Sequence, residues 1–257
     1  MVCGISPSIE RYTIYNSNRI LGGDNAKDGD WPWYALLNSG SYLCGSTIIN
    51  DKWILTAAHC IDKKSSNASI RYGSVNITAG EVTSSNCIFV HPGYSKDNTV
   101  DDIALIKLHE PLKFFEKVQP ICLDHNVEPH TNEILAQAGF GNIFKQYGPD
   151  GAEFILPKIL QDGPTAYKGN STSVYPICDV KYCVGGINHA ALSGDSGGPL
   201  MAIRENRWIQ IGIASEVIYR SVGYNGESIS MQATNTFTII ANYCDWIKQT
   251  TNSEINC

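Results

Sequence analysis

An all-β fold closed by one C-terminal helix is what the sequence predicts, and three observations carry that reading. Glycine is abundant at 23 of 257 residues while charged residues make up only 17%, a balance that suits short strands joined by tight turns. Runs rich in β-branched and aromatic residues alternate with Gly, Asn and Ser clusters along most of the chain, the pattern of antiparallel strands. Near the end the period changes, and Ile240, Tyr243, Cys244 and Ile247 recur at helical spacing.

Taken in order, residues 1–19 are polar and turn-rich and read as an extension outside the core. Strand-like runs follow at 33–37, 42–49, 53–57, 87–90 and 103–108, and a connecting stretch at about 111–132 separates them from a second series. That series lies at 134–140, 154–160, 198–203, 208–214 and 235–240, ahead of an amphipathic helix over about 240–249. The chain has no internal repeat and no low-complexity segment.

Bulk properties exclude several classes of function. A hydrophobic fraction of 43% in a chain of this length can build a sizeable core, as one large domain or two packed halves. The formal charge of −6, without any Lys/Arg run, argues against nucleic-acid and anionic-membrane partners. No apolar stretch approaches the roughly 20 residues a bilayer span requires. Nine cysteines fit an oxidising compartment, hence a secreted, extracellular protein. Met1-Val2-Cys3-Gly4-Ile5 lacks the basic start and apolar run of a secretory leader. The cysteine framework is the weightier sign, so that start reads as truncated or re-engineered. Sequons at Asn67, Asn76 and Asn170 are glycosylation candidates.

Chemistry concentrates in three motifs. Residues 194–200 read Gly-Asp-Ser-Gly-Gly-Pro-Leu, which offers Ser196 as a nucleophile. Residues 55–60 read Leu-Thr-Ala-Ala-His-Cys, which offers His59 as a base. Residues 101–108 read Asp-Asp-Ile-Ala-Leu-Ile-Lys-Leu, placing an acid at the head of an apolar strand. A serine hydroxyl needs a base within hydrogen-bond reach and a third group to orient that base. The chain order His, Asp, Ser is one of those known for such a triad.

On these motifs, over roughly residues 19–250, the sequence resembles the chymotrypsin/trypsin-like serine endopeptidases. The resemblance implies two packed six-stranded antiparallel β-barrels, the first over about 20–125 and the second over about 126–240, with the active site in the cleft between them. It assigns His59 as general base, Asp102 as orienting acid and Ser196 as nucleophile, with the backbone N–H groups of Gly194 and Ser196 as oxyanion hole. Arg19-Ile20-Leu21-Gly22-Gly23 resembles the family's precursor cleavage site, Leu21 replacing the usual valine. Cleavage at Arg19–Ile20 by an activating trypsin-like protease would set off residues 1–19 as a propeptide-like extension that stays attached to the body. It would also free an ammonium on Ile20 to pair with Asp195, within a peptidase domain of residues 20–257.

By the same resemblance Cys44–Cys60, Cys3–Cys122 and Cys178–Cys183 are disulfides, the second tethering the extension. Of the remaining cysteines, Cys87 is paired with Cys257 and Cys244 is left as a buried thiol. Two further family bridges have lost both partners. Ala190 falls at the pocket floor, where trypsin-like members carry Asp, so a Lys or Arg side chain would be buried unpaired. Val217 and Asn235 fall where two glycines usually stand, beside Ser215 and Glu216. The expected pocket is therefore short, elastase-like and suited to small apolar residues. Glu216 replaces the usual Trp, and residues 218–234 form a lengthened entrance loop.

No cofactor and no metal site is expected, since His125, Glu128 and His130 match no metal spacing. Expected partners are protein or peptide substrates and protein inhibitors. The alternative is a protease-fold binding or regulatory module with an occluded cleft.

Overall fold

The computed structural model describes residues 2–15, 24–65, 67–97, 99–148, 151–167, 169, 176–187, 194–224 and 229–257. Arg19, Ile20, Asn170, Ala190 and the Leu192 position of a lost bridge lie outside the described residues. Strand β1 (Asp24–Asn25) precedes a closed barrel built from β2 (Tyr34–Ser39), β3 (Tyr42–Ile48), β4 (Trp53–Thr56), β5 (Ser69–Tyr72), β6 (Glu81–Val90) and β7 (Ala104–Leu108). Its strands run in the order β2-β3-β4-β7-β6-β5. Leu37, Ile48, Ile54, Leu55, Ile70 and Leu105 have no exposed surface and fill the core, each contributing about 1.5–3 kcal/mol by leaving water.

The second half comprises β8 (Ile134–Gly139), β9 (Ile143–Gly148), β10 (Gly151–Ile155), β11 (Gln161–Ala166), β12 (Lys181–Ile187), β13 (Pro199–Arg204), β14 (Arg207–Tyr224) and β15 (Ile229–Ile239). Seven strands form one sheet in the order β1-β11-β8-β13-β14-β15-β12, and β9 and β10 form a separate hairpin. The expectation of two six-stranded barrels is corrected: one barrel is closed, and the second body is a curled sheet. Among the described residues, an isolated bridge between Tyr167 and Val184 joins its two sides beyond the end of β11 at Ala166. No helix among the described residues is long and apolar enough to cross a membrane.

Four local expectations are also corrected. The run 154–160 is not one strand, since β10 ends at Ile155 and β11 begins at Gln161; Pro157 has no N–H to give a ladder there. Residues 218–224 and 229–234 are not a loop but the paired arms of the β14–β15 hairpin, from Ile218 opposite Thr234 to Tyr224 opposite Ile229. β12 runs along the other side of β15 as far as Ile187 opposite Gln232.

The extension, third, does not stand outside the core. Residues Ser8–Tyr15 form helix α1, and Ile9 and Tyr12 are buried. The Tyr12 ring packs edge-on against Trp31 at 5.6 Å and Trp208 at 5.2 Å. Ser8 donates to the Asp30 carbonyl at 2.9 Å and accepts from the Trp208 indole at 3.0 Å. Arg11 pairs with buried Asp162 at 2.5 Å and Asp30 at 3.1 Å, and Trp31 donates to Asp162 at 2.6 Å. The polar composition of 1–19 hid a helix with one apolar face and a charge-paired edge.

The fourth concerns the cysteines. The structure joins Cys3 to Cys122, Cys44 to Cys60 and Cys178 to Cys183. Cys257 is bonded to Cys244, not to Cys87, which is a free and exposed thiol on β6. The reason is the stop of the C-terminal helix. A 3₁₀ turn over Ile240–Tyr243 leads into α2 (Cys244–Thr250). Asn252 and Ser253 then take positive φ, and Ser253 N–H returns to the Lys248 carbonyl at 2.7 Å. This reversal sends the tail back along α2. It buries Ile255 and brings the Cys257 Cα to 5.6 Å from that of Cys244.

Candidate active site

His59 sits in the 3₁₀ turn Ala58–Cys60 that follows β4, and the Cys44–Cys60 bridge fixes that turn to β3. Asp102 lies just ahead of β7 and has no exposed surface. Its two carboxylate oxygens divide the work. Oδ1 accepts the His59 backbone N–H at 2.9 Å, and Oδ2 lies 2.7 Å from His59 Nδ1. The Ser215 hydroxyl donates to Oδ2 at 2.5 Å, and the Thr238 hydroxyl donates to the Asp102 carbonyl at 3.2 Å. Burial pushes the Asp102 carboxyl up, but the His59 hydrogen bond and charge, with the Ser215 hydroxyl, outweigh it and hold the group below its ordinary value.

Gly194–Ser196 precede β13 and reach the same corner from the second half. Gly45 N–H on β3 donates to the Ser196 carbonyl at 2.7 Å, and Gly197 N–H donates to the Ala214 carbonyl at 2.8 Å. Glycine is required at 197: φ is +77°, and a Cβ would sit 2.4 Å from the Gly45 carbonyl and 2.3 Å from Thr56 Oγ1. The barrel strand that carries Cys44 and the loop that carries Ser196 thus touch backbone to backbone, beside the turn that carries His59.

Asp195 points the other way. Its Oδ1 accepts Gly141 N–H at 2.7 Å. Ideal Cβ atoms at Gly139 and Gly141 would fall 1.9 Å and 2.1 Å from its carboxylate oxygens. The segment after β8 is bare of side chains where this carboxylate lies. Gly194, at φ +105°, is as tightly held, with space for a Cβ closed by Gly141 Cα at 3.1 Å.

The residues assigned to the specificity pocket separate into two groups. Ser215 faces Asp102 and belongs with the triad candidates. Val217 pairs in register with buried Asn235, which also pairs with Val184 on β12. The Glu216 side chain keeps 43% of its surface and lies 3.9 Å from the ammonium nitrogen of Lys181. Lys181 was missed by sequence reasoning. It opens β12 fully buried and donates to Ser215 Oγ at 2.7 Å, with Thr99 Oγ1 at 3.4 Å. A lysine at the head of the apolar strand Tyr182-Cys183-Val184 was the available signal, since lysine is almost never fully buried unless paired.

Asn67 and Asn76 are exposed, as a glycan requires, and the Asn76 Oδ1 already accepts from the Thr78 hydroxyl at 3.0 Å. Cys44, His59 and Cys60 cluster closely, but both sulfurs belong to a disulfide and offer no thiolate to a metal.

His59, Asp102 and the Ser196 loop thus come to one corner between two β bodies, and the comparisons with known proteins give the family. The family model described as Trypsin matches residues 20–247. Trypsin II-P29 of Gallus gallus is 34% identical over 246 residues, covering 91% of this chain and 90% of that protein. Ovochymase of Halocynthia roretzi is 31% identical over 252 residues, covering 91% of this chain, which spans only 15% of the ovochymase length. The chain belongs to the trypsin family of serine proteases.

Proposed function

We propose that the protein is a secreted serine endopeptidase made as a precursor, switched on by cleavage at Arg19–Ile20, and cutting after small apolar residues. The observation that supports it most is the His59–Asp102 pair, with a fully buried carboxylate spent on both the ring and the backbone of His59. In this reading Ser196 Oγ attacks a peptide carbonyl while His59 Nε2 takes its proton. The C–N bond then breaks as His59 returns that proton to the leaving amine, and water repeats the sequence on the acyl-enzyme. Asp102 fixes the proton on Nδ1, which leaves Nε2 free to accept. The N–H groups of Gly194 and Ser196 hold the oxyanion, a donor of this kind contributing about 2.7–4 kcal/mol.

The switch is supported by the Asp195 cradle. A carboxylate this close to the oxyanion loop, once paired with the Ile20 ammonium, orders that loop. Gly141→Ala drives Asp195 off the Gly141 N–H. It is expected to slow labelling of the cleaved protein by a fluorophosphonate by about 10²-fold, the usual cost of an ångström of misplacement. Labelling within a factor of two of the parent would dissociate Asp195 from the switch. The small-residue preference rests on Ala190, Val217 and Asn235, whose bulk and neutrality favour Ala-, Val- or Ser-sized side chains.

The deciding experiment is fluorophosphonate labelling before and after cleavage at Arg19–Ile20, with Ser196→Ala as control. Labelling that appears only on cleavage and vanishes in the variant establishes the switchable nucleophile. Folded, cleaved protein that never labels leaves the binding-module reading, which the paired arms of β14 and β15 favour where a lengthened entrance loop was expected.

A further inference from the structure

We propose that Lys181 is a positioning residue of the active site: its ammonium holds the Ser215 hydroxyl on Asp102 and sets a positive charge behind that carboxylate, opposing the carboxylate's pull on the His59 proton. The inference rests on the reading of His59 as the base. The contacts form one unbroken line, from Lys181 Nζ to Ser215 Oγ at 2.7 Å, on to Asp102 Oδ2 at 2.5 Å and to His59 Nδ1 at 2.7 Å. Ser215 has a single hydroxyl hydrogen. Lys181 supplies only donors, so it fixes the direction in which that hydrogen points, toward Asp102.

Stability gives no reason for a cation here. A buried ion pair replaced by well-packed apolar residues is often neutral or more stable, and burial pushes the Lys181 ammonium below its ordinary range, against the opposing pull of Asp102 and Glu216. Charge placement gives one. An ammonium two hydrogen bonds from the imidazole offsets part of the carboxylate's pull on a proton, and the intervening protein screens it weakly. Glu216, partly in solvent, cancels only part of that charge.

The other groups packed around the pair leave this field intact. Tyr94 is pushed up to about 12, chiefly by burial, and stays neutral. Tyr243 is pushed up by burial and by its 2.8 Å hydrogen bond to Asp101. Asp101 also faces His91, at 3.9 Å, and His91 stacks edge-on with Tyr243. The Cys60 sulfur 3.8 Å from His59 Nε2 is in a disulfide and does not titrate.

The test follows the proton between His59 Nδ1 and Asp102 Oδ2 by proton NMR against pH in the folded full chain, before and after cleavage, a readout independent of turnover. Lys181→Met is expected to raise the midpoint of its pH dependence by about 0.5–1 unit, and the acid limb of the labelling rate moves with it. Glu216→Gln, which removes the opposing charge, shifts the midpoint downward. Midpoints unchanged in both variants, or moved in the same direction, overturn the proposal. Should Lys181→Met fail to fold, Lys181→Gln, which keeps a donor for Ser215 and removes the charge, takes its place with the same upward shift expected. A midpoint that moves in protein that never labels removes the endopeptidase reading and leaves only the coupling of Lys181 to the His59 imidazole; labelling with an immobile midpoint overturns this proposal and keeps that reading.

Discussion

Asp102→Asn is expected to leave the protein folded and to lower kcat by about 10⁴, the loss such an exchange causes in a Ser–His–Asp triad. An amide is nearly isosteric with the carboxylate, so the cost lies in hydrogen-bond direction. Asp102 accepts from three donors, the His59 ring, the His59 backbone and the Ser215 hydroxyl. An Asn side chain has one oxygen and one NH₂ group, and cannot accept on both sides. With its oxygen kept toward the backbone N–H, its NH₂ meets His59 Nδ1, and the ring answers by moving its own proton to Nε2. That nitrogen then cannot accept from Ser196. The check is the pseudo-first-order fluorophosphonate labelling rate of cleaved protein, beside a thermal melt that certifies the fold. Labelling within tenfold of the parent would show that Asp102 does not set the tautomer.

The second large effect concerns the extension. Tyr12→Ala is expected to cost about 3–5 kcal/mol, the usual penalty for removing a buried aromatic ring. Tyr12 is 5% exposed and wedged between Trp31 and Trp208, which themselves meet at 5.1 Å. Nothing nearby can collapse into the gap, since the same two indoles are tied by hydrogen bonds to Asp162 and Ser8. At a few degrees per kcal/mol for a chain of this size, the melting temperature falls by roughly 10 °C. A surface substitution such as Glu10→Ala on the outer face of α1 serves as the comparison. Equal melting of both variants would mean that α1 is only draped on the body.

The sequence made β2, β3, β4, β7, the end of β6 and the three site motifs readable because each carries its own local signature, whereas β5 carries none and was missed. β4 is a bounded apolar run, and Gly194–Pro199 has a backbone need that only glycines meet. What stayed hidden was decided by partners far along the chain. β11 contains Gly163 and Pro164, which argue for a turn until pairing with β8 overrules them. Helix α1 looks polar until Trp31 and Trp208 arrive. The Cys244–Cys257 bond depends on two left-handed residues after α2, which composition does not announce. Glu216 was recognised as a departure, but its meaning required Lys181, 35 residues upstream by number and 3.9 Å away in space.

The Cys3–Cys122 bond, finally, changes its topological meaning when the proposed cut is made. In the intact chain it closes a covalent ring across a separation of 119 residues, and such a ring restricts the unfolded ensemble by about 5 kcal/mol in the loop-entropy account. Scission between residues 19 and 20 opens that ring without breaking the bond. The unfolded chain becomes a branched polymer with a new free end, and the ring's entropic contribution disappears. On the proposed cleavage, then, constraint on the disordered state is surrendered, and the docked face of α1 and any new contact at Asp195 are left to hold the cut chain together in the ordered one.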